Sequence, residues 1–151
     1  MGRTARGVKA VQLGRGDEVV AADVIDPETT VLTITQKGYG KRTPVNEYPV
    51  QHRGGRGVLT IKTSDRNGPV VRVLLVQEDD ELMVIANGGK MLRTRASDVS
   101  IIGRNTQGVR IMDLDGEDRV VSVDAFGELD LKDEEDSPEE PDSPDGGNPQ
   151  D

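Results

Sequence analysis

At 151 residues the chain is sized for a single domain. It has no cysteine, which excludes disulfides and thiolate metal sites, and its one histidine, His52, cannot supply a histidine metal site or a catalytic triad. The formal charge of −9 misleads about partners: residues 128–151 hold one Lys against 11 Asp and Glu, while residues 1–127 hold 18 Lys and Arg against 17 acids, so the body is near neutral and a polyanionic partner is not excluded.

Taken in chain order, the body reads as short β-branched runs bounded by Gly, Asp or Asn. Strands are expected over 8–13, 19–25, 30–36, 41–45, 57–63, 69–76, 81–86, 91–95, 108–114 and 119–125. Turn signals separate them, including Gly14-Arg15-Gly16-Asp17, Asp65-Arg66-Asn67-Gly68 and Asn87-Gly88-Gly89. No window keeps a 3.6-residue apolar period, so helix is expected to be nearly absent. Residues 128–151 are Pro-rich and acidic and cannot bury enough surface to offset their ordering entropy. The expected division is therefore a folded body over 1–127 and a disordered acidic tail over 128–151. No apolar run approaches the roughly 20 residues of a membrane span and the N-terminus lacks a signal-peptide stretch, so no membrane partner and a cytoplasmic location are expected.

The body repeats itself. Gly2, Arg3, Gly7, Val8, Leu13, Val19 and Val20 recur as Gly103, Arg104, Gly108, Val109, Leu114, Val120 and Val121, and Gly57, Val58, Val70 and Val71 take the same places between them. The connecting segments match too: Gly38, Arg42 and Thr43 recur 51 residues later as Gly89, Arg93 and Thr94. About four strands in each repeat of this length is the pattern of a propeller blade. The expected fold class is all-β, a partial β-pinwheel or β-propeller of two to two-and-a-half four-stranded blades. Such an arc cannot close a ring, so it is expected to be the end of something larger or to self-associate.

Two basic clusters stand at expected turns. In "QHRGGRG" (51–57), Gly54 and Gly55 permit positive φ and close approach of a phosphate, while Arg53 and Arg56 offer fork-shaped donors to its oxygens. In "GYGKR" (38–42), Lys41 and Arg42 join Lys37 beside Tyr39, and Lys90, Arg93 and Arg95 stand equivalently in the next repeat. Arg6, Lys9, Arg104 and Arg110 alternate with apolar residues, which leaves some of them as partners for Asp or Glu inside a blade. On the residues alone each cluster reads equally as a phosphate grip or as a turn with solvated cations. "GYGKR" is no P-loop, because the earlier glycine of that motif is missing. Glu78-Asp79-Asp80-Glu81 reads as a charged hairpin tip. The near absence of aromatics argues against single-strand binding by base stacking.

The segments "GRTARGV", "GYGKRTPVNEY", "QHRGGRGV" and "GRNTQGVR", in this order and followed by an acidic tail, resemble the C-terminal DNA-wrapping domain of DNA gyrase A. The resemblance covers nearly all of residues 1–127. It implies a six-bladed β-pinwheel that wraps double-stranded DNA around a basic rim, supporting ATP-dependent negative supercoiling. It also implies, as partners, a separate gyrase A catalytic domain and gyrase B, with ATP and Mg used in other domains and no cofactor in this chain. "QHRGGRG" is similar to the family's box Gln-Arg-Arg-Gly-Gly-Lys-Gly, with His52 in place of an arginine and Arg56 in place of a lysine. Met1 then stands where an internal residue precedes Gly-Arg in the family, which suggests a fragment or a split gene. The resemblance favours phosphate contact by Lys37, Lys41, Arg42, Arg53, Gly54, Gly55, Arg56, Lys90, Arg93, Arg95, Arg6 and Arg104. The rival is a truncated propeller acting as a protein-interaction module, its arginines paired to acids rather than turned outward.

Overall fold

The computed structural model describes residues 6–127. The expected tail, and Gly2 and Arg3 of the repeat, lie outside the described residues. Seven strands form in chain order: β1 (Thr30–Thr35), β2 (Tyr39–Pro44), β3 (Val70–Val76), β4 (Glu81–Ala86), β5 (Met91–Arg95), β6 (Val109–Arg110) and β7 (Val120–Phe126). Only two single 3-10 turns, at Val45–Glu47 and Ala96–Asp98, interrupt the β pattern among these residues.

The strands make two antiparallel sheets. One has the order β3-β1-β2-β6 and the other β5-β4-β7. The repeat is visible in the hairpins: β1 turns into β2 through Gly38 at φ 83°, and β4 turns into β5 through Gly89 at φ 88°, a conformation that only glycine adopts at low cost. The central strands β1 and β4 carry the inward residues. Leu32 faces Arg42 and Leu74 across the first sheet, and Val84 faces Leu92 and Val123 across the second. Leu32, Ile34 and Val76 join Leu82, Val84, Val120 and Val123 in one core cluster, closed by Val99 and Met112. Each such side chain, fully buried, stabilises the fold by about 1.5–3 kcal/mol.

The all-β expectation and the strands at 30–36, 41–45, 69–76, 81–86, 91–95 and 119–125 agree with this architecture to within two residues. The others need correction. Residues 19–25 and 57–63 form no strand, 8–13 contributes a single bridge between Val11 and Gly55, and 108–114 shortens to β6. The reason lies in how blades are built. β3 pairs with β1, and β6, from the following repeat, completes the sheet beside β2, so a blade borrows strands across repeats rather than using four in succession. Among the described residues, neither 19–25 nor 57–63 finds a strand to pair with. An extended segment with the right pattern and no ladder partner stays outside the sheet. The second sheet has only three strands, with β5 at its edge.

Candidate nucleic-acid interface

Lys41 and Arg42 do not belong to an outward-facing cluster. The Lys41 side chain is 0% exposed and Arg42 is 3% exposed. Lys41 Nζ donates to the carbonyls of Gly103 (2.7 Å) and Arg104 (2.8 Å) and to Thr106 Oγ1 (3.0 Å), stitching β2 to the 103–106 segment. Burial pushes its pKa below the ordinary lysine value, Glu47 draws it up and Arg104 adds to the depression. Arg42 donates to Val99 O (2.9 Å) and pairs with Glu78 at 2.8 Å. Both are internal staples, and neither can reach a phosphate from where it sits.

Arg93, one repeat after Arg42, shows why. On β2 the 99–102 segment lies alongside, with Arg42 N donating to Ser100 O and Ile102 N to Arg42 O, so the arginine is covered. β5 stands at the edge of its sheet, and Arg93 is 62% exposed, held by Glu81, whose carboxyl it keeps below the ordinary range. Arg95 shares that exposed face of β5 with Arg93. Lys90 is exposed and donates to Asp113 O, and Lys37 is exposed and donates to Asp65 O.

In the 51–57 loop, Arg53 and Arg56 are exposed as expected. Gly54 has φ 79°, but its N–H is not free for a phosphate: it donates to Ala10 O at 2.7 Å, and Gly55 O accepts from Gln12 N at 2.7 Å. The glycines tie the loop to the 10–12 segment, and the two arginines project from that tie. Arg6 is exposed on the same N-terminal stretch. Arg104 is half-buried, donating to Leu59 O at 2.9 Å with its guanidinium 5.8 Å from the Tyr48 ring centre.

One constellation has no signature in the sequence. Tyr39 is buried, and its phenol oxygen accepts from Arg66 Nε (3.2 Å) and Arg110 Nη2 (3.0 Å), with both guanidiniums 5.3–5.5 Å from the ring centre. Arg66 first, then Arg110, hold the phenol's pKa below its ordinary value by stabilising the phenolate. Lys37 and Arg119 line the same cleft of about 380 Å³. Asp65-Arg66-Asn67-Gly68 reads as a turn, Arg110 as one of several weak candidates and Arg119 as the first residue of an expected strand; their meeting depends on β6 crossing to β2, which no local pattern announces. Among the described residues no group of three or more His, Asp or Glu is placed to hold a metal, and no helix is long and apolar enough to cross a membrane.

Comparison with known proteins matches this architecture. The family model for the DNA gyrase C-terminal domain, beta-propeller, matches residues 1–26, 29–77 and 80–126. The chain is 39% identical over 138 residues to DNA gyrase A of Pseudomonas aeruginosa and 45% identical over 136 residues to that of Staphylococcus aureus, covering 91% and 89% of this chain. It spans 15% of the length of each. Among solved structures, a DNA gyrase A C-terminal domain superposes with TM-score 0.61 at 35% identity, covering 64% of this chain and 33% of that one. The C-terminal domain of a DNA topoisomerase IV shares the fold at TM-score 0.76 and 21% identity, covering 84% of this chain and 40% of that one. With its blade repeats, glycine turns and box-like loop in register with that model, the chain belongs to the DNA gyrase C-terminal domain, beta-propeller, family.

Proposed function

We propose that the chain is a non-catalytic module that binds and bends duplex DNA within a type II topoisomerase, acting with a gyrase A catalytic domain, with gyrase B and with their ATP and Mg in the service of negative supercoiling. The observation that carries this reading is the pair Arg53 and Arg56, exposed on a loop whose backbone is pinned to residues 10–12, in a chain of this family. Guanidiniums held this way suit phosphate oxygens, and such contacts fix position without reading sequence. Bending 20–30 base pairs by 40–90° costs on the order of 1–6 kcal/mol, which several phosphate contacts offset. The cell compartment that follows is the cytoplasm, at the nucleoid.

If about four phosphates are neutralised, log K for a labelled duplex falls against log salt with a slope near −3.6. A flat salt dependence, or no binding at low salt, removes this reading. Replacing Arg53 and Arg56 together by Ala is expected to weaken binding to all duplexes about equally and to flatten the slope by about 2. The melting temperature should hardly move, because exposed arginines contribute little to folding. Early melting with unchanged affinity would make the two arginines structural instead.

A second reading has its own observation. Val19, Val20, Val24 and Ile25 lie exposed in the stretch where a strand is expected, Val24 at 86%. An apolar run of this kind suits packing against another protein segment. It supports the interaction-module reading alongside DNA binding rather than in place of it, since the run and the box arginines occupy different segments.

A further inference from the structure

We infer that the cleft between Tyr39, Arg66 and Arg119 is a second binding site for a phosphate group, supplied by a duplex backbone crossing the junction of the two sheets or by free phosphate in solution. The backbone source rests on the DNA-binding reading; the site itself does not.

Three observations converge on it. The first is donor supply. Arg66 uses its Nε on the Tyr39 oxygen, which leaves its terminal nitrogens without a partner among the described residues, and the Arg119 guanidinium has no side-chain partner among them either. The Tyr39 oxygen already accepts two N–H bonds and its own proton meets no acceptor among these residues, so the phenol remains a donor. Two forked guanidiniums and a hydroxyl suit a tetrahedral oxyanion.

The second is charge. Lys37, Arg66, Arg110 and Arg119 line the cleft against Glu117 and Asp118. Arg110 also pairs with Asp113 at 3.2 Å, and Lys37 bonds the Asp65 carbonyl, so these two add field more than direct contact. The Asp118 carboxylate lies against Gly88, where even a methyl group would overlap it. Glu117 is exposed.

The third is rigidity. Beside Arg66, the fully buried Asn67 donates to Lys62 O (2.8 Å) and Gln107 O (3.1 Å) and accepts from Ser64 N (2.8 Å). Arg119 is fixed by a reciprocal pair with Asn87: Arg119 N donates to Asn87 Oδ1 and Asn87 N to Arg119 O, both at 2.9 Å. Holding the two guanidiniums on tied backbone lowers the ordering cost of gripping an anion.

The test has two arms. In the first, Tyr48→Phe leaves Tyr39 as the remaining tyrosine, and its ionisation is followed by ultraviolet absorbance with inorganic phosphate or with chloride at equal ionic strength. Bound phosphate competes for the arginines that stabilise the phenolate, so phosphate should shift the transition to higher pH. The shift should vanish with Arg66→Ala plus Arg119→Ala, while circular dichroism confirms the fold. No phosphate-specific shift overturns the site. In the second arm, the same double variant is compared with wild type for duplex binding. A salt slope flattened by about 2, together with the phosphate shift, identifies the backbone as the source. The phosphate shift with unchanged DNA binding upholds the site and assigns it to free phosphate. Weaker DNA binding without the phosphate shift leaves only long-range charge and overturns the site. If wild type binds no duplex but the phosphate shift persists, the DNA reading fails and the site stands.

Discussion

Replacing Lys41 by Met is expected to lower the melting temperature by about 10–15 °C while leaving the DNA affinity of the folded protein unchanged. Two opposing effects decide the sign. The folded protein holds the Lys41 pKa below its unfolded value, so the charged form is a net cost to the fold at neutral pH, and that cost shrinks only as pH rises from the folded value toward the unfolded one. Met, of similar length, relieves this cost. It also removes the bonds from Lys41 Nζ to the carbonyls of Gly103 and Arg104 and to the Thr106 hydroxyl; Thr106 still donates to Gly103 O, but the Arg104 carbonyl loses its side-chain donor. Hydrogen bonds to a charged group contribute about 1.5–3 kcal/mol each, and an unmet buried acceptor costs about 1–3 kcal/mol. The acceptors win, for a net loss of about 3 kcal/mol. In a body of this size that is the shift stated. Thermal melting checks the first half and a duplex titration below the new melting temperature checks the second. A variant that melts like wild type but binds DNA more weakly would mean that Lys41 swings outward to a phosphate.

Lys41 also shows where reading the sequence stops. Gly38, Gly89 and the β-branched runs between them announce both hairpins, because turn chemistry and side-chain alternation are local. Whether a cation in such a hairpin faces water is not local. Arg42 and Arg93 hold the same repeat position, yet one is covered by residues 99–102 and the other stands at a sheet edge. The Tyr39 cleft is harder still, since Tyr39 and Arg110 are brought face to face by the two-residue pairing of β6 with β2. The arginines at 53 and 56 are legible because a glycine loop at the surface exposes whatever flanks it. The role of its glycines is not, because the pairing of residues 10–12 with 54–55 is a long-range contact that no local pattern announces.

The repeat supplies a second large effect and an internal control for it. Gly108→Ala is expected to destabilise the protein by about 3 kcal/mol or more, and Gly57→Ala by only about 1–2 kcal/mol, although the two glycines are repeat equivalents. Both sit at positive φ, 77° and 79°, so an added Cβ meets the same left-handed strain of about 1–2 kcal/mol at each. Their surroundings differ. A Cβ at Gly108 would stand 2.8 Å from the carbonyl oxygen of Gly40 and 3.0 Å from its carbon, where β6 enters the sheet, whereas at Gly57 nothing lies within 4 Å. Backbone cannot yield as a flexible side chain would, so accommodating the methyl at 108 means pushing β6 off β2. That displacement loosens the neighbouring Lys41 staple to the 103–106 segment and opens the Tyr39 cleft together. Chemical denaturation of the two variants measures the difference. Equal losses would mean that Gly57 has a strand partner of its own in solution, as Gly108 has in β2, and residues 57–63 would then be a strand after all. A larger loss at 108 fixes the contrast in the sheet: two glycines, one backbone conformation, and a neighbour for only one of them.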